Sequence, residues 1–366
     1  MQIKRRKSKI IKVGGIKIGG SNPVVVQSMA KTFTSDLQDT LRELRELSEA
    51  GCKIIRLAVK DKKDAMALRK IRRQTSLALV ADIHFDKNLA LQAIDNGVDK
   101  IRLNPGNIYK KEEIREIAQA AKLARIPIRI GVNSGSLPRY SSLDTRYSKE
   151  PARLMVKSAL DYIRLLEGFK FRDIIISLKS SDIFTTIKAN REISKLTDYP
   201  LHLGVTATGT STKGIVKSAI AVGMLLFEGI GDTIRISLTD KSVQEVRAGY
   251  SILEAMGLSN PGLEVISCPT CGRCEVDLIK IVGDLEKKLA IRYSLAQRQA
   301  GLLAIRPIKL AVMGCVVNGP GEAEAADLGI AFGKHQGLFF KKGKAIRKVS
   351  SRNCVDTLLQ ELNKII

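Results

Sequence analysis

Eight short runs of β-branched and aliphatic residues, each followed by an amphipathic run, leave few folds open to this chain. The strand candidates are Val24–Met29, Lys53–Val59, Leu77–Ile83, Asp99–Leu103, Pro127–Val132, Asp173–Leu178, Leu201–Thr206 and Thr233–Leu238. Each is nearly continuously apolar and bounded by turn signals, as expected of a strand covered on both faces. Helical patterns lie between them: Asp36–Ala50, Asp61–Arg72, Lys87–Asn96, Lys111–Ala124, Lys149–Leu166, Asp182–Leu196, Lys213–Phe227 and Lys241–Met256. Such a series predicts an α/β fold, a (β/α)8 TIM-like barrel. A doubly wound sheet is the alternative. Its strand count would be high, however, and its Gly-x-Gly-x-x-Gly fingerprint is missing.

In a barrel of this kind the functional groups stand at the C-terminal ends of the strands. Those positions hold Arg56, Asp82 and His84, Arg102 and Asn104, Arg129 and Asn133, Lys179 with Ser180 and Ser181, Thr206 with Thr208 and Gly209, and Arg235 with Ser237. Loops after strands are polar in any case, and single arginines pair with local acids. Arginines ending four parallel strands are harder to dismiss, because like charges meeting at one mouth repel unless an anion sits among them. Arginine suits bidentate phosphate binding. The glycine-rich stretches Gly131–Ser136 and Gly204–Gly214 offer backbone donors as well. The expected ligand is a small, multiply charged phosphate such as a diphosphate.

Past Met256 the pattern changes. Leu258–Gly262 reads as a linker and a hinge. A strand (Leu263–Ser267), the loop Cys268-Pro-Thr-Cys271-Gly-Arg-Cys274, a helix from about Glu275 to Leu289 and a strand (Ile308–Met313) follow. The turn Gly314-Cys315-Val-Val-Asn-Gly-Pro-Gly-Glu322 comes next, then strands Leu328–Phe332, Leu338–Phe340 and Lys344–Val349 and a helix Ser351–Ile365. The expected division is a barrel over residues 1–257 and a smaller α/β domain over 258–366.

Thiolates converging from these two loops would select zinc or an iron–sulfur cluster over hard cations. A zinc ribbon closes with a second Cys-x-x-Cys or a histidine pair, and the three histidines (His84, His202, His335) are not paired at ligand spacing. Cys-x-x-Cys-x-x-Cys is instead the local pattern of a ferredoxin cluster loop. Two ligand sets stay open: Cys268, Cys271, Cys274 and Cys315, or Cys268, Cys271, Cys315 and one oxygen, with Glu322 nearest. Cys52 and Cys354 read as core residues.

Lysine and arginine exceed the acids by 61 − 37 = 24. The basic residues are spread along the whole chain, aromatics are scarce and tryptophan is absent, which disfavours nucleic acid. No apolar run approaches a membrane span, and no apolar segment or cleavage site follows the basic N-terminus. The expected location is the cytoplasm, where thiols stay reduced.

The motifs VVVQSM, DIHF, IRLNPGN, IRIGVNSGSL, SLKSSD, HLGVT, KSAIAVGMLLFEGIGDTIRISLT, SCPTCGR and MGCVVNGPGEA, in this order, resemble the 4-hydroxy-3-methylbut-2-enyl diphosphate synthase family of the methylerythritol phosphate route to isoprenoids. The match runs over nearly the whole chain. The resemblance implies a barrel joined to a cluster domain resembling part of the sulfite/nitrite reductases. It implies a [4Fe–4S] cluster on Cys268, Cys271, Cys315 and Glu322, with Cys274 demoted to a neighbour. The implied reaction reductively opens 2-C-methyl-D-erythritol 2,4-cyclodiphosphate and loses a hydroxyl as water. Arg56, Arg102, Arg129 and Lys179 would hold the diphosphate, with Asp82, His84, Asn104 and Asn133 around the sugar carbons. His84, Glu228 and Glu322 would be the catalytic set, Glu228 matching a family acid tied to protonation; its alternative is a cap on the turn before Gly229. Reduced flavodoxin or ferredoxin would be the electron donor, and a homodimer would share its sites between subunits.

This sequence departs from the family pattern in four places. The segment around Ile291–Arg306 is longer, Ala207 stands where an acid is common, Ser259–Gly262 lacks a basic residue, and Cys274 is unusual. Two other functions compete. A phosphate-sugar aldolase or isomerase with a structural zinc would use Lys179 as a catalytic lysine. A basic nucleic-acid binder with a zinc clip would leave the ordered arginines unexplained.

Overall fold

The chain opens with an antiparallel hairpin, β1 (Ile11–Val13) and β2 (Ile16–Ile18), turning through Gly14–Gly15. A computed structural model describes residues 3–137, 150–259, 263–298, 308–334 and 336–365, with backbone alone over 290–298. It divides into two compact units, Met1–Ser259 and Asn260–Ile366.

The first unit is an eight-stranded parallel barrel. Its strands are β3 (Val25–Met29), β4 (Ile54–Val59), β5 (Ala78–Ile83), β6 (Lys100–Leu103), β7 (Ile128–Asn133), β8 (Ile174–Lys179), β9 (His202–Leu203) and β10 (Thr233–Ile234). A bridge between Ile176 and Leu201 joins β8 to the segment of β9 and closes the ring. β5, β6 and β8 are buried at every residue, as strands covered on both faces must be. Several returning helices start on an aspartate whose carboxylate accepts a free backbone amide of the first turn. Asp36 accepts from Asp39, Asp61 from Asp64, Asp86 from Asn88 and Asp182 from Thr185. Each such cap contributes about 1 kcal/mol and fixes where a βα loop ends.

The ladders of the last two barrel strands are shorter than the apolar runs predict: His202–Leu203 rather than Leu201–Thr206, and Thr233–Ile234 rather than Thr233–Leu238. Gly204 is the reason, because it takes φ +156 and brings its backbone against the Arg235 carbonyl, where a Cβ would lie 2.4 Å from that oxygen. The hairpin was not anticipated. Its Ile11, Val13 and Ile18 pack on Val25, Ile54, Ala78, Val80 and Ile175 and seal the N-terminal end of the barrel.

The second unit is a five-stranded sheet in the order β11 (Leu263–Ser267), β12 (Ile308–Met313), β13 (Leu328–Phe332), β14 (Gln336–Lys341) and β15 (Lys344–Ser350). The first three run parallel and the last two antiparallel. Helices Leu278–Arg298 and Cys354–Asn363 contribute to the apolar cluster on one side. The short helix Gly319–Glu324 contributes Ala323 to a second cluster with Ala311, Met313, Ala331 and Phe340. The predicted helix ending near Leu289 continues to Arg298, so the extra segment begins as helix. Its residues 299–307, and residues 260–262 of the predicted hinge, lie outside the described residues. No helix among the described residues is long and apolar enough to cross a membrane.

Candidate active site

Alternation along each strand sends every second side chain into the barrel. Apolar layers ordinarily fill that space. Here only the layer above the hairpin is apolar. Above it stand Gln27, Lys100, Arg129, His202 and Thr233, all buried. At the C-terminal ends stand Arg56, Asp82, Arg102, Lys179 and Arg235.

Asp82 is the hub of the mouth. Its Oδ1 accepts from Arg102 Nη1 at 3.1 Å, and its Oδ2 lies 3.5 Å from Arg56 Nε and 4.0 Å from His84 Nε2. Burial pushes its carboxyl up, but Arg56, Arg102, His84 and Arg129 outweigh burial and hold it at about 2. It is therefore ionised at any working pH. Arg102 also donates to the Gly131 carbonyl at 3.0 Å. Arg56 spends its Nε and Nη2 on Met29 Sδ, at 3.1 and 2.7 Å, and a thioether is a weak acceptor. His84 is the most exposed of the group, with 42% of its side chain open.

Lys179 Nζ lies 3.2 Å from His202 Nε2, and His202 Nδ1 lies 2.8 Å from Thr233 Oγ1. Burial, then the neighbouring arginines, push Lys179 well below the ordinary lysine range. Deeper in the barrel, Lys100 and Arg129 share the side-chain oxygen of Gln27 at 3.4 Å each. Burial, then nearby cations, lower both well below their ordinary values. Arg235 pairs with Glu245 at 3.4 Å, and Glu245 also accepts from Ser28, Lys31 and the Leu238 amide.

Among the described residues, the carboxylates paired with these arginines are Asp82 and Glu245. Arg102, Arg129 and Arg235 each keep a buried Nε, and Gln27 a buried Nε2, without a partner among the described residues. Buried unpaired donors are costly, and a polyanion entering the mouth would accept from them. Sequence reasoning missed Gln27, Lys100, His202 and Glu245. The first three were legible in principle, because each falls on the inward parity of its strand.

Two expected residues stand differently. Asn104 is beside the mouth, but its amide is engaged in shaping the loop: it donates to Ser136 Oγ at 2.8 Å and accepts from the Gly106 amide at 3.1 Å. Asn133 is half-buried at the end of β7, with its carbonyl accepting from Ser136. Glu228, expected in the catalytic set, stands apart from the mouth. It follows the helix Ser211–Phe227 in the turn leading into β10, at the opposite end of the barrel, exposed and paired with Arg191 through both carboxylate oxygens. The preceding helix delivers it to the N-terminal face, so within this unit it reaches none of the mouth groups.

In the second unit, β11 and β12 run parallel with Ser267 opposite Val312. The loops bearing Cys268 and Cys315 therefore leave the sheet side by side, and the Gly314 amide donates to Cys268 Sγ at 3.4 Å. Thr270 takes φ 59 and turns the chain tightly toward the exposed Cys271. Hydrogen bonds from the Val317 and Asn318 amides hold the Cys315 thiol below its ordinary value. Glu322 is exposed on the helix that follows. Cys274 is turned into its own chain: its Sγ donates to the Val276 carbonyl at 3.2 Å and packs so closely over Gly314 that a Cβ there would lie 2.4 Å away. Among the described residues no three His, Cys, Asp or Glu side chains close into a metal-holding group. The donor set of soft thiols and one carboxylate around one end of the sheet fits an iron–sulfur cluster by its chemistry. Cys52 and Cys354 are buried, as expected of core residues.

A (β/α)8 barrel with a cationic, anion-seeking mouth, followed by a separate thiol-bearing α/β unit, defines the class of this protein. Residues 8–250 match the GcpE TIM-barrel domain and residues 264–364 the GcpE protein C-terminal domain, and the chain belongs to the GcpE family. The resemblance read from the motifs holds. The 4-hydroxy-3-methylbut-2-en-1-yl diphosphate synthase (flavodoxin) of Caldanaerobacter subterraneus is 49% identical over 366 residues, covering 100% of this chain and 99% of that protein. The protein of the same name from Fusobacterium nucleatum is 48% identical over 361 residues, covering 99% and 97%.

Proposed function

We propose that this chain is a 4-hydroxy-3-methylbut-2-enyl diphosphate synthase. In this reading it reductively opens 2-C-methyl-D-erythritol 2,4-cyclodiphosphate, using two electrons from reduced flavodoxin or ferredoxin and releasing the hydroxyl as water. Full-length similarity to synthases of that name supports it. The observation that carries it is the ring of buried and part-buried arginines around one ionised aspartate, with donors left unpaired.

In this reading Arg56, Arg102, Arg129 and Lys179 bind the diphosphate and stabilise it as its leaving-group charge grows. Asp82 holds Arg56 and Arg102 in place. His84, open to solvent beside Asp82, moves a proton at its Nε2. Asn133 borders the sugar, and Asn104 acts through the loop it shapes. Cys268, Cys271, Cys315 and Glu322 would hold a [4Fe–4S] cluster, which when bound supplies single electrons. The barrel is assigned to residues 1–257 and the cluster domain to 258–366. The protein is read as a cytoplasmic homodimer whose sites are shared between subunits.

The test is an absorbance spectrum with iron and sulfide assays on protein purified without oxygen, followed by turnover of the cyclodiphosphate with reduced flavodoxin. A brown protein with about four irons and four sulfides that consumes the substrate is expected. A colourless protein with one zinc would overturn the reading.

A further inference from the structure

His202 touches no solvent, yet it is not packed as an inert core residue. Its two ring nitrogens face Lys179 of β8 and Thr233 of β10. With Lys179 as the ammonium, which can only donate, Nε2 accepts from it, the ring proton sits on Nδ1, and Thr233 Oγ1 receives that hydrogen bond. Gly204 completes the slot, since a Cβ there would lie 2.7 Å from Lys179 Nζ. Lys179 is thus gripped from below by one neutral acceptor and bounded on one side by bare backbone. Arg56, Arg102, Arg129 and Arg235 all repel its charge. Burial, then repulsion from Lys179, Arg129, Lys100 and Arg56, disfavours any charge on His202, so the imidazole stays neutral.

We infer that His202 is a positioning residue for Lys179: as the Nδ1–H tautomer fixed by Thr233, it accepts a hydrogen bond from one of the three ammonium N–H groups and leaves the other two aimed at the phosphate oxygens of a bound diphosphate. This deepens the reading given under Proposed function and rests on it. The device is preorganisation. Without the acceptor, the flexible lysine head would turn from its cationic neighbours or shed its proton before the ligand arrives.

The test measures binding of inorganic diphosphate to the full chain, purified without oxygen, across alkaline pH by calorimetry. Wild type binds, and its affinity falls as Lys179 loses its proton. Removing the acceptor makes that proton easier to lose. His202→Phe therefore binds about tenfold more weakly, the range for one hydrogen bond to a charged group, and its alkaline limb moves to lower pH. His202→Gln, whose amide oxygen can reach Lys179, restores the limb. Thr233→Val keeps the local shape, frees the tautomer and moves the limb in the same direction, so it serves if the Phe variant fails to fold. Folded Phe and Val variants with the wild-type limb would overturn the inference while leaving the proposed function standing. A wild-type chain that binds no diphosphate would overturn both.

Discussion

Arg102 and Asp82 form an ion pair, Nη1 to Oδ1 at 3.1 Å, in which each side chain keeps no more than 5% of its surface in contact with water. Burying such a pair is expensive, and losing one partner is more so. Its sign with pH follows from the depressed carboxyl. Asp82 falls from 3.8 to about 2 on folding, so its contribution is complete above the unfolded value and is lost as pH drops through the folded one. That contribution is about 2 kcal/mol. Asp82→Asn should remove it, flattening the fall in stability between about pH 4 and pH 2 as measured by urea unfolding. At neutral pH the variant should be less stable by about 3 kcal/mol.

Gly131 controls the same arginine from the other side. A Cβ on it would lie 2.4 Å from Arg102 Nε and 3.2 Å from Cζ. Gly131→Ala should leave the barrel folded, judged by circular dichroism, and push Arg102 off Asp82. Diphosphate binding should weaken by at least about tenfold. Unchanged affinity would mean that Arg102 does not bind the anion.

The three cysteines of the Cys268–Cys274 loop should separate cleanly. Cys274→Ala removes a thiol already bonded to the Val276 carbonyl, so iron and sulfide content should hold while the melting temperature drops by a few degrees. Cys268→Ala and Cys271→Ala should each lose the colour. Loss of iron on replacing Cys274 would restore the all-sulfur ligand set.

Glu228 offers the converse test. It stands at the far end of the barrel, paired with Arg191 at the surface, and such pairs contribute at most about 1 kcal/mol. Glu228→Gln should keep turnover within about twofold of wild type. A loss of a hundredfold in kcat would show that the residue acts from a position this chain's barrel alone does not give it.

Much of this fold was legible. Parallel strands buried on both faces, such as Ile174–Lys179, stand out as unbroken apolar runs, and aspartates such as Asp61 mark the helix starts. Where the ladders end was not legible, because it depends on one backbone angle at Gly204 and on what lies across from it. The hairpin was overlooked although Ile-Lys-Val-Gly-Gly-Ile-Lys-Ile carries the two-residue period and glycine turn of one. The mouth was read in outline from Arg56, Asp82, Arg102, Arg129 and Lys179. Its underside was missed because, in a strand buried on both sides, hydropathy does not tell the barrel lumen from the helix layer. Lys100 and His202 fall inside two of the predicted strands, and only closure of the ring puts their side chains in the lumen. Glu228 shows the opposite hazard: a motif match names a residue but not the end of the barrel on which it stands.

Among the described residues, the seal made by Ile11, Val13 and Ile18 closes the N-terminal end of the barrel and leaves its C-terminal mouth as the way in. Whatever enters between the arginines must leave the same way, and water and protons share that passage. Product and fresh substrate therefore queue for a single exit, so the diphosphate product should inhibit in competition with the substrate. The crowd of positive charge at that mouth should make release of the diphosphate product a natural brake on each turnover.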